Sequence, residues 1–529
     1  MPITLPQKLL RFFHTVADLR GKQLMYQVYY RITGRLNKPA ANDNKHLLGI
    51  EYAPVKLPGG SITKLSCSTL PVRLSERACF TFLNVRHDFG AIEQMNWNFS
   101  AHGKLWVYNL NYFEFLRQPG LTVAHAQKII DHWIASETTI EDGWEPYPTS
   151  LRTVNWILFY HAKESTMPRH VLESINRQYH NLSGKIEYHL LGNHLLENAC
   201  ALCCIAIFLG DMPSLARWEK LLFTELKEQY LADGAHYELS IMYHLILLWR
   251  QLDLYHLALS APKTTLAPAL APSLRKQLGW AQSMINRRGD FPHFNDSTNG
   301  IAPEMEAIND RASALGISPV IENVGASGYR HWEDGRIEVW IDTAQIGPAY
   351  IPGHAHADSL GFILYVNGEP AIVDSGISTY EKNERRAWER STAAHNTVEG
   401  RGKNSSDVWG GFRVGKKART TIEHEDGFFI CAHHNGYDVA HRRTLRCENE
   451  VLTIIDEFDE GTARFHFAAS ERPSLIGGVL RSKLFSMTWD NGNARLIPYD
   501  RATGFNRLEP AWCLVVDFKK KLTTQIQAF

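Results

Sequence analysis

The chain has 529 residues, of which 44% are hydrophobic and 21% are charged, the balance of an ordinary globular protein. Lys plus Arg and Asp plus Glu both number 56, so neither a basic excess typical of nucleic-acid binding nor an acidic tail is present. No uninterrupted apolar run reaches the roughly 18 residues of a transmembrane helix, and the length predicts at least two domains.

Residues 1–100 are predicted to form an N-terminal helix and a lead-in segment. Apolar spacing predicts an amphipathic helix with a basic face from Leu9 to Leu36, and Pro54 and Pro58 interrupt the stretch that follows. The first residues contain no signal-peptide apolar core with a small-residue cleavage site. The sequence therefore predicts a cytoplasmic location, or a periplasmic one if Met1 stands at a mature start.

Residues 101–320 show helical periodicity, which predicts αα-hairpins stacked into a ring or solenoid. No fixed-period repeat indicates a tetratricopeptide-type array. Cys200, Cys203 and Cys204 lie in an apolar run and are predicted to be buried helix, since no second CxxC completes a zinc site. The unpatterned cysteines favour a reducing compartment. The predicted helices are 123–137, 152–163, 169–190, 194–209, 215–231, 240–260 and 273–287.

Near residue 320 the period changes to that of strands. Segments such as 337–342, 360–366 and 371–374 alternate or run apolar at strand length, and Asn367-Gly368 is a strong hairpin-turn signal. Residues 321–529 are therefore predicted to form an antiparallel β-sandwich domain. A helical domain followed by a β domain leaves a cleft between them, which is a common place for a ligand site.

Three side chains of the β half have the types and spacing of a metal shell. His356, Asp374 and His395 are separated by 18 and 21 residues, so three successive strands could each supply one ligand. Two imidazoles and one carboxylate form a reasonable zinc site. His354 lies two residues before His356 and could point into the cleft. The alternative is that these are ordinary hydrogen-bonded loop histidines.

Two helix starts in the helical half carry polar residues. Asn193 is a predicted N-cap, and His194 and Asn198 share a face ahead of an apolar run, which suggests a helix end that faces the cleft. Ser240 is a predicted N-cap with Tyr243 at the third helical position. The alternative for the 193–198 segment is an ordinary capped helix whose polar first-turn residues satisfy backbone groups. The alternative for Tyr243 is a residue of the core or its rim.

A third segment, residues 142–156, combines aromatic rings, amides and a guanidinium with the aromatic and amide residues of 106–111. Sugar-binding sites use the same mixture of groups. The alternative is aromatic packing between helices. Together with polar residues of the 193–198 segment, the predicted substrate-binding set is Trp106, Trp144, Tyr147, Arg152, Asn155, Glu197 and Asn198.

Five blocks in this order resemble the heparinase II/III-like superfamily of polysaccharide lyases, which includes the oligoalginate lyases. They are 144–156, 193–198, 240–244, 354–358 with Asp374, and 395–397. The resemblance implies an incomplete α/α toroid followed by an antiparallel β-sandwich domain, a multidomain α+β fold. It also implies β-elimination in an acidic, uronic-acid-containing polysaccharide or oligosaccharide. The segment 105–110 is similar to members tied to bacterial exopolysaccharide production.

The resemblance further implies roles for individual residues. Asn193, with His194 and His354, would neutralise the uronate carboxylate, because the C5 proton is removed only when that charge is stabilised. Tyr243 would act as base, or as acid toward the leaving oxygen, with a pKa depressed by a cation such as Arg152. His356, Asp374 and His395 would hold a structural zinc. Ile241 stands where many relatives have Pro, which affects the helix entry rather than the tyrosine.

Two other functions fit the same residues. A glycoside hydrolase on an α/α toroid would need two carboxylates across the cleft, with Glu145 and Glu238 as candidates. A non-catalytic sugar-binding protein of polysaccharide assembly would not need the Asn193, His194, Tyr243 and His354 set. Heparan-type, alginate-type and exopolysaccharide uronates all fit the lyase hypothesis.

Overall fold

The computed structural model describes residues 5–33, 77–261, 264–468 and 472–529. Within these ranges helices fill the first part of the chain and antiparallel strands fill the second part. The predicted fold class, an incomplete α/α toroid followed by an antiparallel β-sandwich, is confirmed.

Nine α-helices build the described helical part after residue 100. They are α3 Lys104–Tyr112, α4 Val123–Ser136, α5 Pro146–Ala162, α6 Arg169–Ser183, α7 Gly192–Leu209, α8 Met212–Gln229, α9 Ile241–Leu259, α10 Leu266–Ser283 and α11 Met305–Ala314. The seven predicted helices correspond to α4 through α10, whereas the sequence predicts no bounds for α3 and α11.

Helix α7 is the central element of the helical part. It packs against α5, α8 and α9, and nearly all its side chains are buried, which is the environment of a helix that is apolar all round. Cys200, Cys203 and Cys204 lie in this core without disulfide partners, as predicted. Among the described helices, only this one is long and apolar enough to span a membrane, and 89% of it is buried inside the protein.

The strands form two large sheets that share one core. Strands β3 Tyr329–Asp334, β4 Ile337–Asp342, β5 Phe362–Val366 and β6 Glu369–Ile372 form a four-stranded antiparallel sheet. The hairpin between β5 and β6 turns at Asn367-Gly368, with φ angles of 54° and 74°, as the sequence predicts. Val339 and Leu364 of this sheet belong to the same buried cluster as Leu514 of the second sheet.

The second sheet has ten strands and is organised around two long ones, β13 Val451–His466 and β18 Arg507–Ala528. The other strands of the sheet are β7 Val398–Gly400, β10 Thr420–Asp426, β11 Phe429–His434, β12 His441–Glu448, β14 Ser474–Ile476, β15 Val479–Arg481, β16 Phe485–Trp489 and β17 Asn493–Gly504. A short helix, α12 Glu384–Glu389, and a two-stranded ribbon, β8 Val408–Trp409 with β9 Arg413–Val414, lie in the loops between the sheets.

The N-terminal prediction of one helix over Leu9–Leu36 is wrong in its extent. The chain forms two helices, α1 Leu5–Ala17 and α2 Gly21–Thr33, followed after a gap in the described residues by the hairpin β1 Cys79–Phe82 and β2 Val85–Asp88. The two helices are separated at Asp18-Leu19-Arg20. The apolar spacing continues through these residues, but their backbone is not helical. Residues 34–76, which contain most of the predicted lead-in segment, lie outside the described residues.

Two helices begin next to residues with left-handed backbone conformations. Leu191 has φ 65° and ends the loop before α7, so Asn193 lies inside the first turn and the prediction that it caps the helix is wrong. Leu239 has φ 57° before α9. Ser240 is the N-cap of α9, and its hydroxyl accepts a hydrogen bond from the backbone N–H of Tyr243 at 3.3 Å, as predicted.

We expect Ser240→Ala to lower the melting temperature by about 2–4 °C, because it removes the cap bond and the 2.7 Å bond that the hydroxyl donates to the backbone oxygen of Asp296. Thr265→Ala is the matched control, since Thr265 caps α10 without a side-chain cap bond. Differential scanning calorimetry measures both. Equal shifts in the two variants would contradict the role assigned to the Ser240 hydroxyl.

Candidate active site

A cavity of about 820 Å³ lies where the helical part, the β part and the N-terminal helices meet. The four residues predicted to be catalytic, Asn193, His194, Tyr243 and His354, all line this cavity. They come from the starts of α7 and α9 and from the loop between β4 and β5. The tertiary structure therefore gathers residues that are up to 161 positions apart in the chain.

Tyr243, His354 and Asn193 are in direct contact. The rings of Tyr243 and His354 have centroids 4.0 Å apart, and Nδ2 of Asn193 lies 3.5 Å from Nε2 of His354. The hydroxyl of Tyr243 is 3.3 Å from that of Tyr380, which also lines the cavity. One sugar ring could touch all of these groups at once.

Asp296 fixes His354 from behind the cavity wall. Its Oδ2 lies 2.8 Å from Nδ1 of His354, and its Oδ1 lies 2.9 Å from Nε2 of His356. The Arg386 guanidinium donates to both carboxylate oxygens, at 2.5 and 2.7 Å. Burial alone would raise the pKa of Asp296, but Arg386 and the two histidines hold it well below its ordinary value. The ionised carboxylate then accepts from N–H at Nδ1 of His354, which leaves Nε2 as the nitrogen that faces the cavity.

Glu238 orients Asn193. Its buried Oε1 accepts the backbone N–H of Asn193 at 2.7 Å, and both carboxylate oxygens accept from Nδ2 at 3.1 Å. The Oε2 atom also lies 3.5 Å from Nε2 of His354. Glu238 therefore fixes Asn193 beside the nitrogen of His354 that faces the cavity.

The surroundings of His194 favour its protonated form. Its Nδ1 lies 3.0 Å from Oε1 of Glu187, and its ring packs 4.6 Å from that of Tyr147. Burial by itself would lower the pKa of His194, but the charge and hydrogen bond of Glu187 raise it above 6.5. Asn198 holds Glu187 in turn, by accepting its backbone N–H at 2.9 Å and donating to its carboxylate at 3.0 Å.

The predicted partnership of Arg152 and Tyr243 is wrong. Arg152 is buried inside the helical part, donates to Gln178 and to the backbone oxygens of Asn111 and Gly143, and does not line the cavity. Burial raises the pKa of Tyr243 above its ordinary value, and the hydrogen bond with Tyr380 opposes this only in part. The resting phenol is therefore neutral.

Of the seven residues predicted to bind substrate, only Tyr147 lines the cavity. Trp106 and Trp144 are buried, and their indole N–H groups donate to the backbone oxygens of Val85 and Glu137. Trp144 packs against Trp133 of α4, so aromatic packing between helices, the alternative interpretation, applies to it. Trp106 packs instead against Phe82 and His87 of the β1–β2 hairpin. The other members lie behind the cavity wall: Arg152, Asn155, Glu197 and Asn198.

Asn155 and Glu197 belong to a buried polar network of the helical core. Asn155 accepts from Arg117 at 2.6 Å and donates to the backbone oxygen of Tyr112 at 2.7 Å. Glu197 lies 3.8 Å from Arg250, and burial raises its pKa to about 7. These side chains support the floor of the cavity instead of contacting its contents.

Three buried residues beside the site have the geometry of a metal shell. His356, Asp358 and His395 offer ligand atoms that all lie within 4.8 Å of one another. Nδ1 of His356, Oδ2 of Asp358 and Nε2 of His395 each have no hydrogen-bond partner among the described residues. A cation held between them would satisfy three buried polar atoms at once.

Asp374, the predicted third ligand, lies outside this set of three. Its Oδ2 is 2.7 Å from Nδ1 of His395, on the side of the ring away from the unpartnered nitrogen. That is the position of a carboxylate that orients a ligating histidine. Asp358 lies in the 354–358 block but is not among the predicted ligands.

Four further site residues were not predicted in these roles: Glu238, Asp296, Tyr380 and Arg386. Glu238 had been considered only as a hydrolase carboxylate. Asp296 lies in the polar run Asn295–Thr298 between helices, which is buried in the structure. A polar segment with no periodicity is normally assigned to a surface loop, so only its burial reveals its role.

Comparisons with known proteins agree with this architecture. Residues 140–314 match the family description Heparinase II/III N-terminus, and residues 318–527 match Heparinase II/III-like, C-terminal. A heparin-sulfate lyase of Pedobacter heparinus is 24% identical over 333 residues, covering 56% of this chain and 48% of the relative. A heparin-sulfate lyase of Bacteroides stercoris is 22% identical over 416 residues, covering 70% and 60%. The chain thus spans about half to three fifths of the curated relatives it matches.

Solved structures show the same fold over nearly the whole chain. The crystal structure of heparinase III superposes with a TM-score of 0.66 at 16% identity, covering 100% of this chain and 92% of the other. A mutant of the heparan sulfate lyase from Pedobacter heparinus gives 0.57 at 17% identity, covering 99% and 91%. The chain belongs to the heparinase II/III-like superfamily.

We expect the imidazole of His194 to titrate with a midpoint above 6.5, because the Glu187 carboxylate favours its protonated form. Glu187→Gln removes that charge and should lower the midpoint, as measured by NMR of the histidine ring. Glu145→Gln is the control, since Glu145 contributes least among the named carboxylates and should move the midpoint less. A midpoint unchanged in Glu187→Gln would refute the pairing.

Proposed function

We propose that this protein is a polysaccharide lyase that cleaves a uronic-acid-containing saccharide by β-elimination. The observation that carries the proposal is the contact of Tyr243, His354 and Asn193 in one cavity, at the junction of a toroid and a β-sandwich. The names of the relatives, heparin-sulfate lyases, support the same class.

The reaction first requires stabilisation of charge on the uronate carboxylate, because the C5 proton is very weakly acidic. Asn193 has one amide N–H besides the one that Glu238 holds, and His194, whose protonated form Glu187 favours, supplies positive charge at the same wall. Donors already fixed by Glu238 and Glu187 need no reorganisation when the negative charge grows. This is the preorganised stabilisation that contributes most in many enzymes.

His354 is the base that we assign to the C5 proton. Its Nδ1–H is held by the Asp296 carboxylate at 2.8 Å, so the free electron pair lies on Nε2, which faces the cavity. Nδ2 of Asn193 lies 3.5 Å from this nitrogen, so a carboxylate bound at Asn193 would bring the neighbouring C5 close to the base. A base must lie within hydrogen-bond reach of the proton it removes.

Tyr243 is the acid that we assign to the leaving oxygen at C4. A raised pKa keeps its phenol protonated near neutral pH, which suits proton donation to an alkoxide-like leaving group. Tyr380 is 3.3 Å away and can return the proton from solvent. Elimination then breaks the C4–O bond, forms the C4–C5 double bond and leaves the proton from C5 on His354.

The cavity favours this reaction over hydrolysis. Hydrolysis needs two carboxylates on opposite sides of the scissile bond. Glu145 does not line the cavity and is bonded to Lys104 and Tyr108, whereas both carboxylate oxygens of Glu238 accept from Asn193. Neither of the two predicted hydrolase carboxylates is free for that chemistry.

The activity is tested by screening uronic-acid polymers, namely heparan-type, alginate-type and bacterial exopolysaccharide uronates. The expected result is a rise in ultraviolet absorbance from the unsaturated product. New reducing ends without that absorbance would indicate a hydrolase, and binding without either signal would indicate a sugar-binding protein.

We expect Tyr243→Phe to reduce kcat by about 10²-fold or more, because it removes only the phenolic oxygen that moves the proton. Asn193→Ala should reduce kcat by roughly 10²–10³-fold through weaker stabilisation of the carboxylate charge. The matched control is Tyr255→Phe, a tyrosine of the same helix α9 that does not line the cavity. Full activity of Tyr243→Phe would transfer its role to a histidine, and full activity of both variants would remove the lyase function from this cavity.

We further propose that His356, Asp358 and His395 hold one zinc ion, with Asp374 orienting His395. Two imidazoles and a carboxylate are a zinc donor set with one tetrahedral position left over. His356 shares Asp296 with His354, so an ion held here would brace the loop that carries the base. Zinc bound in this way would be structural.

Elemental analysis should find about one zinc per chain, and His395→Ala or Asp358→Asn should lose it. Asp374→Asn keeps the three ligands and should weaken zinc affinity by only about 10–100-fold. Complete zinc loss in Asp374→Asn together with retention in Asp358→Asn would restore Asp374 as the ligand. Purified protein that lacks metal and has unchanged thermal stability after zinc addition would refute the site.

A further inference from the structure

The N-terminal helices form a roof over the active-site cavity. Helix α1 contributes Phe12 and Val16 to the cavity wall, and α2 contributes Leu24, Val28 and Arg31. Both helices precede residue 140, where the family match begins. The roof therefore lies outside the residues that the family match covers.

Each helix of the roof is fastened to a different part of the protein. On α1, the Arg11 guanidinium donates to Asp407 at 2.8 and 2.5 Å, which attaches this helix to the β part. On α2, the hydroxyl of Tyr30 donates to the backbone oxygen of Ile186 at 2.7 Å, and Lys22 lies 3.7 Å over the ring of Tyr188. The roof thus spans the two halves that form the cavity.

The face that the roof turns to the cavity is mainly apolar and remains in contact with solvent. Its polar members are Thr15, Gln23, Gln27 and Arg31. Thr15 accepts from Trp409, and Gln23 donates to backbone oxygens, so these two side chains already have protein partners. Phe12, Leu24 and Val28 line the cavity, yet they are 58%, 39% and 56% exposed. A contiguous apolar surface that remains exposed to solvent beside a cavity commonly marks a ligand-binding surface. Ile246 and Ile301 extend the apolar lining elsewhere in the cavity.

The shape and chemistry of this surface indicate what it contacts. Sugar rings pack on flat aromatic faces and their hydroxyls need polar partners. Branched aliphatic side chains such as Leu24 and Val28 provide neither, but they suit the methyl end of an acyl group. The roof is therefore more complementary to an apolar substituent than to a bare hydroxylated sugar.

Few arginine or lysine side chains line the cavity. Arg250 is paired with Glu114 at 2.6 Å, whereas Arg31 and Arg413 make no ion pair within the described residues. Two available guanidinium groups match a substrate with isolated carboxylates. A densely sulfated chain would call for a cluster of basic residues.

We propose that the roof binds O-acyl substituents, so that the substrate is an O-acylated uronate saccharide of low charge density. This inference rests on the proposed lyase function and names the substrate class for it. Each acyl group would cover wet apolar surface of Phe12, Leu24 and Val28 while a carboxylate is held at Asn193 and His194.

The test compares one O-acetylated bacterial polyuronate with the same polymer after mild alkaline deacetylation. The wild-type chain should give a kcat/KM at least about 10-fold higher for the acetylated polymer, the discrimination that one buried apolar group typically provides. Phe12→Ser and Leu24→Ser should abolish most of this preference. Phe13→Ser and Met25→Ser are the controls, because these neighbours are exposed to 65% and 59% and do not line the cavity.

Equal rates on the two polymers, a preference for the deacetylated one, or equal loss in roof and control variants would each overturn the acyl site while leaving the lyase function standing. A densely sulfated uronate polymer cleaved faster than both would overturn the low-charge assignment. Absence of elimination products from every uronate polymer would instead overturn the proposed function. Isothermal titration calorimetry with an acetylated oligosaccharide then tests the acyl site separately. Binding that Phe12→Ser abolishes would support the acyl site, and absence of binding to the wild-type chain would overturn it.

Discussion

The buried carboxylate of Asp296 is the interaction on which the site depends. It lies between α10 and α11, and it joins Arg386 of α12 to His354 and His356 of the loop between β4 and β5. A buried charge is costly unless donors satisfy it, and removing one partner of such a set leaves an uncompensated charge. The bidentate guanidinium and the two imidazoles meet that requirement together, so the helical and β parts must stay in register for any one of them to be stable.

This network also explains why the proposed base and the proposed metal shell are neighbours. Asp296 uses one oxygen for His354 and the other for His356, whose remaining nitrogen is among the unpartnered atoms of the metal shell. A change at the proposed metal shell would therefore reach the imidazole of His354 through one carboxylate. Second partners of this kind set both the tautomer and the orientation of a histidine ring.

The entrances of α7 and α9 show how backbone strain is used at the site. Leu191 and Leu239 both have positive φ angles, which bulky residues rarely adopt. These conformations turn the chain sharply, so that Asn193 and Tyr243 begin their helices at the cavity. Glu238 compensates by accepting two groups of Asn193, and Ser240 compensates by capping α9. Local strain is thus balanced by hydrogen bonds that also hold the reacting groups.

Local sequence patterns are sufficient to predict four features, because each depends on periodicity or on a few adjacent residues. These features are the order of helices and strands, the buried cysteine helix, the Ser240 cap and the Asn367-Gly368 turn. The resemblance to a family supplied the four residues that meet at the cavity. The burial of Arg152 and Trp106 and the contact of Asp296 with His354 became visible only in the tertiary structure. The tertiary structure also decided that the N-terminal segment roofs the site. The physical reason is that a polar or aromatic side chain has the same local pattern whether it is buried or lines a cleft, and its partners lie tens to hundreds of residues away in the chain.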